Sequence, residues 1–137
     1  MPAKPASSAI LERDGRYLLV RRANPPAADM HAFPGGRGEP GETPEETAIR
    51  EFAEETGLVV TYPRLFATYD LESFAEDGTL HSHYFLSVFL VDACDDAEAV
   101  AADDAAELGW YSAAEIRRMN VPESVLECIE RLERAAA

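Results

Sequence analysis

Three glutamates, Glu51, Glu54 and Glu55, stand at i, i+3 and i+4, with Arg50 immediately before the first and Glu42 nine residues upstream. On a helix, at roughly 100° per residue, the three carboxylates share one sector about 100° wide. Side chains at that spacing repel one another, so a counter-charge is needed. A hard divalent cation supplies it. Mg2+ takes carboxylate oxygens and keeps positions open for water and phosphate. A solvated acidic helix face is the plainer reading of a Glu-rich helix. The segment just upstream favours the metal.

Phe33-Pro34-Gly35-Gly36 and Glu39-Pro40-Gly41-Glu42 read as two turns that bring backbone groups and Glu42 toward the helix N-terminal half. Helix N-termini favour anions, so a phosphate fits beside the carboxylates. The helix has sharp local signals at both ends. Thr43 is an N-cap, Pro44 occupies the first helical position, Glu46 closes a capping box, and Gly57 is the left-handed stop. The spacing predicts a helix over 44–56. Ile49, Phe52, Ala53 and Thr56 face away from the carboxylates, toward a sheet.

Read as a whole, residues 36–58 (GRGEPGETPEETAIREFAEETGL) resemble the signature box of the Nudix hydrolases, G-x5-E-x7-R-E-U-x-E-E-x-G-U with U apolar, at every fixed position. Phe52 fills a slot more often held by a smaller aliphatic residue. The box covers about a sixth of the chain. The resemblance implies an α/β fold, an α/β/α sandwich around a mixed sheet, with the box as a loop-helix-loop. It also implies metal-dependent hydrolysis of the diphosphate linkage in a nucleoside diphosphate derivative, by water attacking phosphorus.

By the family pattern Glu54 and Glu55 hold Mg2+ or Mn2+, helped by Glu51 and the carbonyl of Gly35. Glu51 is also the usual general base, although some members take the base from a later loop. Arg50 orients a box carboxylate, which makes Glu51, Arg50 and Glu54 the catalytic candidates. Glu42 steadies the site, binds a second ion or meets substrate. A further ligand comes from a late loop, where Asp103, Asp104 and Glu107 are the candidates and Asp104 leads. Arg21, Arg22 and His83 are candidates for contacting the substrate. Surface charge on a strand edge is the plainer reading of the arginines, and a half-buried strand face explains His83 as well as a pocket wall does.

The substrate is less legible. The downstream marks of several subgroups are absent, the ADP-ribose group's Pro among them (Phe74 stands there). The compact length and the late Asp-Asp-Ala-Ala-Glu-Leu-Gly-Trp run are nonetheless most similar to members acting on a nucleoside triphosphate or an ADP-ribose-type nucleotide sugar. A nucleotide-sensing module without turnover is an alternative, but all box carboxylates are present. An isoprenoid diphosphate isomerase needs a catalytic cysteine, and neither Cys94 nor Cys128 lies near the box in sequence.

The remaining chain must hold that box in place. At 137 residues it reads as one domain, with residues 1–7 as a frayed tail. Twelve basic and 26 acidic residues give a formal charge of −14, which argues against binding nucleic acid or anionic membrane. A small-molecule nucleotide is the expected partner, in a monomer or homodimer. No secretory apolar core or bilayer-length stretch is present, which points to the cytoplasm. The cysteines read as reduced thiols without metal-ligand spacing.

Strands are expected at 9–12 and 16–21 around the Asp14-Gly15 turn, and at 64–73 and 80–91 around Asp77-Gly78. An exposed acidic loop over 92–104 leads to a short strand at 107–111. Ser112 caps a brief helix. Residues 123–134 carry Val125, Leu126, Ile129 and Leu132 on one stripe, the mark of an amphipathic helix packed on the sheet.

Overall fold

The computed structural model describes residues 3–23, 29–103 and 105–136. Eight strands and three helices follow in the order β1 (Lys4–Ile10), β2 (Glu12–Arg13), β3 (Arg16–Arg22), β4 (His31–Ala32), β5 (Gly35–Arg37), α1 (Pro44–Thr56), β6 (Val60–Phe74), β7 (Leu80–Ala93), β8 (Ala105–Tyr111), α2 (Ala113–Ile116) and α3 (Glu123–Ala136). They build two sheets. The first is mixed, ordered β5-β1-β7-β6, with β1 and β7 parallel and the other pairs antiparallel. The second is antiparallel, with β3 at its centre between β8 and the short strands β2 and β4.

The sheets are buried on both faces, so their inner strands read as nearly continuous apolar runs. Alternation along each strand divides the core in two. Ala9, Leu11, Leu18, Phe89 and Val91 pack with Ala48 and Phe52 of α1. Ile10, Tyr17, Leu19 and Val88 pack with Ile116 of α2 and with Val125, Cys128 and Ile129 of α3. The result is the expected α/β architecture with a helix on each side. Fully buried Phe52 anchors α1 at the heart of the site, a burial worth about 2–3 kcal/mol. Among the described residues no helix is long and apolar enough to cross a membrane.

Helix α1 has the expected limits. Thr43 accepts from the Glu46 amide, Glu46 accepts from the Thr43 amide, and Gly57 closes the helix at φ 76°. The Asp14-Gly15 and Asp77-Gly78 turns are also present, with positive φ at Asp14, Gly15 and Gly78.

The N-terminus differs from expectation. Lys4 to Ser7 belong to β1 rather than to a frayed tail, because Tyr84 to Ser87 of β7 lie beside them, the start of a parallel register that runs on to Ile10 and Leu90. Across the first hairpin Glu12 and Arg13 pair with Tyr17 and Arg16, and the Leu18 amide donates to the Leu11 carbonyl at 3.1 Å. Likewise Gly35 and Gly36, expected in a turn, form an edge strand opposite Ser8 and Ser7. Strand β6 begins at Val60, earlier than expected. It passes Pro63, which has no N–H to donate, through an irregularity between Thr61 and Arg64 where Tyr62 has φ 54°.

Candidate active site at the edge strand

The site forms where α1 lies against β5. Glycine is needed at position 36 because the two elements almost touch. A Cβ there would stand 2.5 Å from the Glu51 carboxylate carbon. At Gly35 a Cβ would strike the carbonyl oxygen of Ser7 on β1. The edge strand therefore runs closer to the carboxylates than any side chain would permit.

The three helix carboxylates are not equivalent. Glu54 is exposed, Glu51 is half-buried, and Glu55 is only 2 % exposed. Glu55 Oε2 accepts the amide N–H of Gly35 at 3.3 Å. Burial pushes the Glu55 carboxyl well up from its ordinary range, and its hydrogen bond with Glu51 adds to this, against the opposing pull of Arg22. A buried carboxylate set against a half-buried one marks a place where a cation would lower the energy of both.

Arg50 supplies part of the counter-charge that the sequence required. Its Nε and Nη2 donate to Glu42 at 2.7 and 3.0 Å, and its Nη1 to Glu51 at 2.8 Å and Glu54 at 3.2 Å. Nη2 also donates to the carbonyl of Arg37 at 2.9 Å, so one guanidinium ties helix to edge strand. Glu42 is fully engaged. Besides Arg50 it accepts from Thr47 Oγ1 at 2.6 Å and from the Glu39 amide at 3.0 Å. The Arg50 guanidinium, helped by Thr47, holds its carboxyl down at about 2. That is the work of a strut.

On the other side of β5 and β1 lies a cavity of about 230 Å3. Its floor is Ser7, Ser8, Gly35 and Gly36, and its walls include Phe33, Leu71, Tyr84, Leu86 and Val125. Two cations, Arg22 and Arg37, reach its lining, and the Arg37 guanidinium lies 5.5 Å from the Tyr84 ring centroid.

The expected contact residues are thus divided. Arg22 lines the cavity, while Arg21 points away into ion pairs with Asp29 at 2.9 Å and Glu107 at 3.1 Å. Glu107, a late-loop candidate, sits in β8 directly opposite Arg21 and also faces His31 at 3.6 Å. His83 is absent from the cavity lining and meets Asp70 instead, because it lies on the other face of β7 from Tyr84. Asp104 lies outside the described residues. The loop before it is docked on the end of α1: the amides of Val100 and Ala102 donate to the carbonyls of Thr56 and Glu55, at 2.8 and 3.0 Å. Asp103 follows at once. Trp110 packs beside the α1-side core rather than in the cavity.

Sequence reasoning did not find Arg37 and Tyr84. Arg37 falls within the variable stretch of the box, and Tyr84 reaches the cavity only through the pairing of β7 with β1. No local signal distinguishes them.

The NUDIX domain model matches residues 1–132, nearly the whole chain. The chain belongs to the Nudix hydrolase family. Nudix hydrolases are pyrophosphohydrolases that cleave phosphoanhydride bonds, typically with a divalent metal. Among curated relatives, the chain is 37% identical over 106 residues to an ADP-ribose pyrophosphatase of Methanocaldococcus jannaschii. That match takes in 77% of this chain but 60% of the relative, so the chain spans less than two thirds of its length. It is 32% identical over 113 residues to a putative 8-oxo-dGTP diphosphatase of Bacillus subtilis, covering 82% of this chain and 68% of the relative. The fold is similar to the crystal structure of a MutT Nudix hydrolase from Burkholderia pseudomallei, with TM-score 0.83 and 23% identity, over 96% of this chain and 99% of that one.

The donor set fits the family's metal. Every candidate ligand is a hard oxygen, and buried Glu55 beside half-buried Glu51 is in place to receive positive charge. Glu55, Glu51 and Glu54 would hold the ion, with Gly35 and the loop ending at Asp103 beside them.

Proposed function

We propose that this Nudix chain hydrolyses the diphosphate bond of a nucleoside diphosphate sugar of the ADP-ribose kind, with Mg2+ or Mn2+. One observation carries the reading: a single edge strand separates the carboxylates from a largely apolar cavity flanked by two arginines. A nucleoside needs the cavity and a diphosphate needs the carboxylates. A strand of two glycines puts both within reach of one molecule. The 37% identity to an ADP-ribose pyrophosphatase supports the sugar-linked class.

A bound divalent ion neutralises phosphate oxygens and acidifies a water. The chain's own residues do the rest. Glu51, half-buried beside Gly36, accepts the proton of the attacking water. Arg50 fixes Glu51 against the edge strand and keeps Glu54 within reach of the same site. Arg22 and Arg37 meet the charge of the substrate phosphates. Attack on one phosphorus breaks the bridging P–O bond and gives a nucleoside monophosphate and a sugar phosphate.

The 32% identity to a putative 8-oxo-dGTP diphosphatase favours a second reading, in which a nucleoside triphosphate loses pyrophosphate at the same site. An isomerase reading gains nothing here. Cys128 is buried among the α3-side core residues, and neither it nor Cys94 lines the cavity.

The test is cleavage of ADP-ribose, oxidised dGTP, dNTPs, NADH and dinucleoside polyphosphates, with Mg2+ or Mn2+ and an EDTA control. It is read as phosphate released by a coupled phosphatase from the monoester products or by a coupled pyrophosphatase from pyrophosphate. Preferred, metal-dependent cleavage of ADP-ribose is the expected result. Preference for oxidised dGTP would move the assignment to the triphosphate class. Glu54→Gln should lower kcat at least about 100-fold while leaving the melting curve intact. A variant that keeps the wild-type rate in saturating Mg2+ would remove Glu54 from the ligand set.

A further inference from the structure

Strands β6 and β7 continue past the other strands of their sheet as a two-stranded ribbon, exposed along most of residues 70–82. One face of that ribbon carries Asp70, Glu72 and His83. Asp70 and Glu72 are two apart on β6, and His83 on β7 stands directly opposite Glu72 and diagonal to Asp70. Their ligand atoms all lie within 4.8 Å of one another. His83 Nε2 is the hub, 2.5 Å from Asp70 Oδ1 and 4.0 Å from Glu72 Oε1.

We propose that Asp70, Glu72 and His83 form a second metal site, separate from the box, that takes a borderline transition ion of the Zn2+ class. Ligands at about 2.0–2.2 Å from such an ion are held roughly 2.9–3.5 Å apart at ordinary bond angles. The observed separations of 2.5 and 4.0 Å bracket that range. Asp70 must draw back slightly and Glu72 move in to close the triad, and the strand register already places all three on one face. An imidazole with two carboxylates suits Zn2+, Co2+ or Ni2+ better than Mg2+. The His83 side chain is 18% exposed while Asp70 and Glu72 are 60% and 43% exposed, so the ring is held and the outer positions stay open to water.

A cross-strand ion pair between His83 and Asp70 is the simpler arrangement. It leaves Glu72 as a second negative charge on the same strand face, converging on the same nitrogen. The location also gives the ion something to do. Leu71 and Tyr84, the pair between these ligands, point through the opposite face of the ribbon into the cavity lining. An ion that staples Glu72 and Asp70 to His83 therefore braces the cavity wall from behind.

The experiment is a Zn2+ titration of chelator-treated protein by calorimetry, repeated with Co2+ by absorption spectroscopy. A Glu54→Gln/Glu55→Gln background removes the box as a competing site. One equivalent should bind with a micromolar Kd in excess Mg2+. His83→Gln and Asp70→Asn should each weaken it at least tenfold, and hydrogen exchange at residues 70–84 should slow on loading. Circular dichroism of each variant separates lost ligation from lost folding. Zn2+ binding that survives His83→Gln in a folded protein would overturn the site. No binding in the box-deficient background would show an ion pair only. Neither result would touch the hydrolase reading, which rests on the box.

Discussion

Arg50 is the residue on which the site's charge balance turns. Spacing alone identified the repulsion among Glu51, Glu54 and Glu55. It could not show that one guanidinium would reach Glu42, Glu51 and Glu54 at once. The roles within the trio were equally hidden, because helical geometry places Glu54 and Glu55 side by side and only packing against β5 separates the exposed one from the buried one. Glu42 gives a testable consequence. Its carboxyl is held at about 2, against an ordinary value of 4.5. A depressed pKa contributes stability above the ordinary value, and that contribution is lost as pH falls from about 4.5 toward 2. Glu42→Gln should therefore lower Tm by roughly 3–6 °C at pH 7, and the gap should close progressively below pH 4.5. Thermal melts of both proteins from pH 2 to 7 would check it. A gap that stays constant with pH would mean that Glu42 acts through packing rather than charge.

At the scale of elements, what could be read from the sequence was what is local. Helix α1 announced itself because Thr43, Pro44, Glu46 and Gly57 act on their immediate neighbours. The same holds for the Asp14-Gly15 and Asp77-Gly78 turns and for Ser112, whose capping box starts α2. Strand β5 and the first part of β1 were not readable. Their pairing depends on residues tens of positions away, and a Gly-Gly pair carries turn propensity until a neighbouring backbone fixes it extended. Yet the close approach of β5 to α1 is what the box glycine serves. Gly36→Ala should keep α1 folded and reduce kcat by about 10- to 100-fold, since the added methyl must displace the Glu51 carboxylate. Far-UV circular dichroism alongside steady-state kinetics would separate the two effects. Unchanged kcat would show that Glu51 can move without cost.

Over the whole molecule the dominant quantity is the charge of −14. Carboxylates crowd the box helix, the loop after β7 and the ribbon, while Arg22 and Arg37 line the cavity. Self-repulsion of this size destabilises the compact state, and mobile ions screen it. Raising monovalent salt from 10 to about 300 mM should raise Tm, and millimolar Mg2+ should raise it further at constant ionic strength. A flat salt response would mean that the arginine pairings already neutralise the surface locally.

The parallel partnership of β1 with β7 has a bearing on how the molecule comes into being. A ribosome releases the chain N-terminal end first, so Arg50 and its carboxylates emerge well before Tyr84 to Leu90, the stretch on which β1 must lie. Until that stretch appears, β1 lacks its central neighbour and β5 has only an unanchored strand to rest on. The chemistry is thus made early and assembled late, a delay that long-range strand pairing imposes. Chains arrested before Leu80 should show no exchange protection at Gly35–Arg37, and chains extended past Ala93 should gain it. Protection in the shorter chains would mean that the box helix can recruit its edge strand unaided.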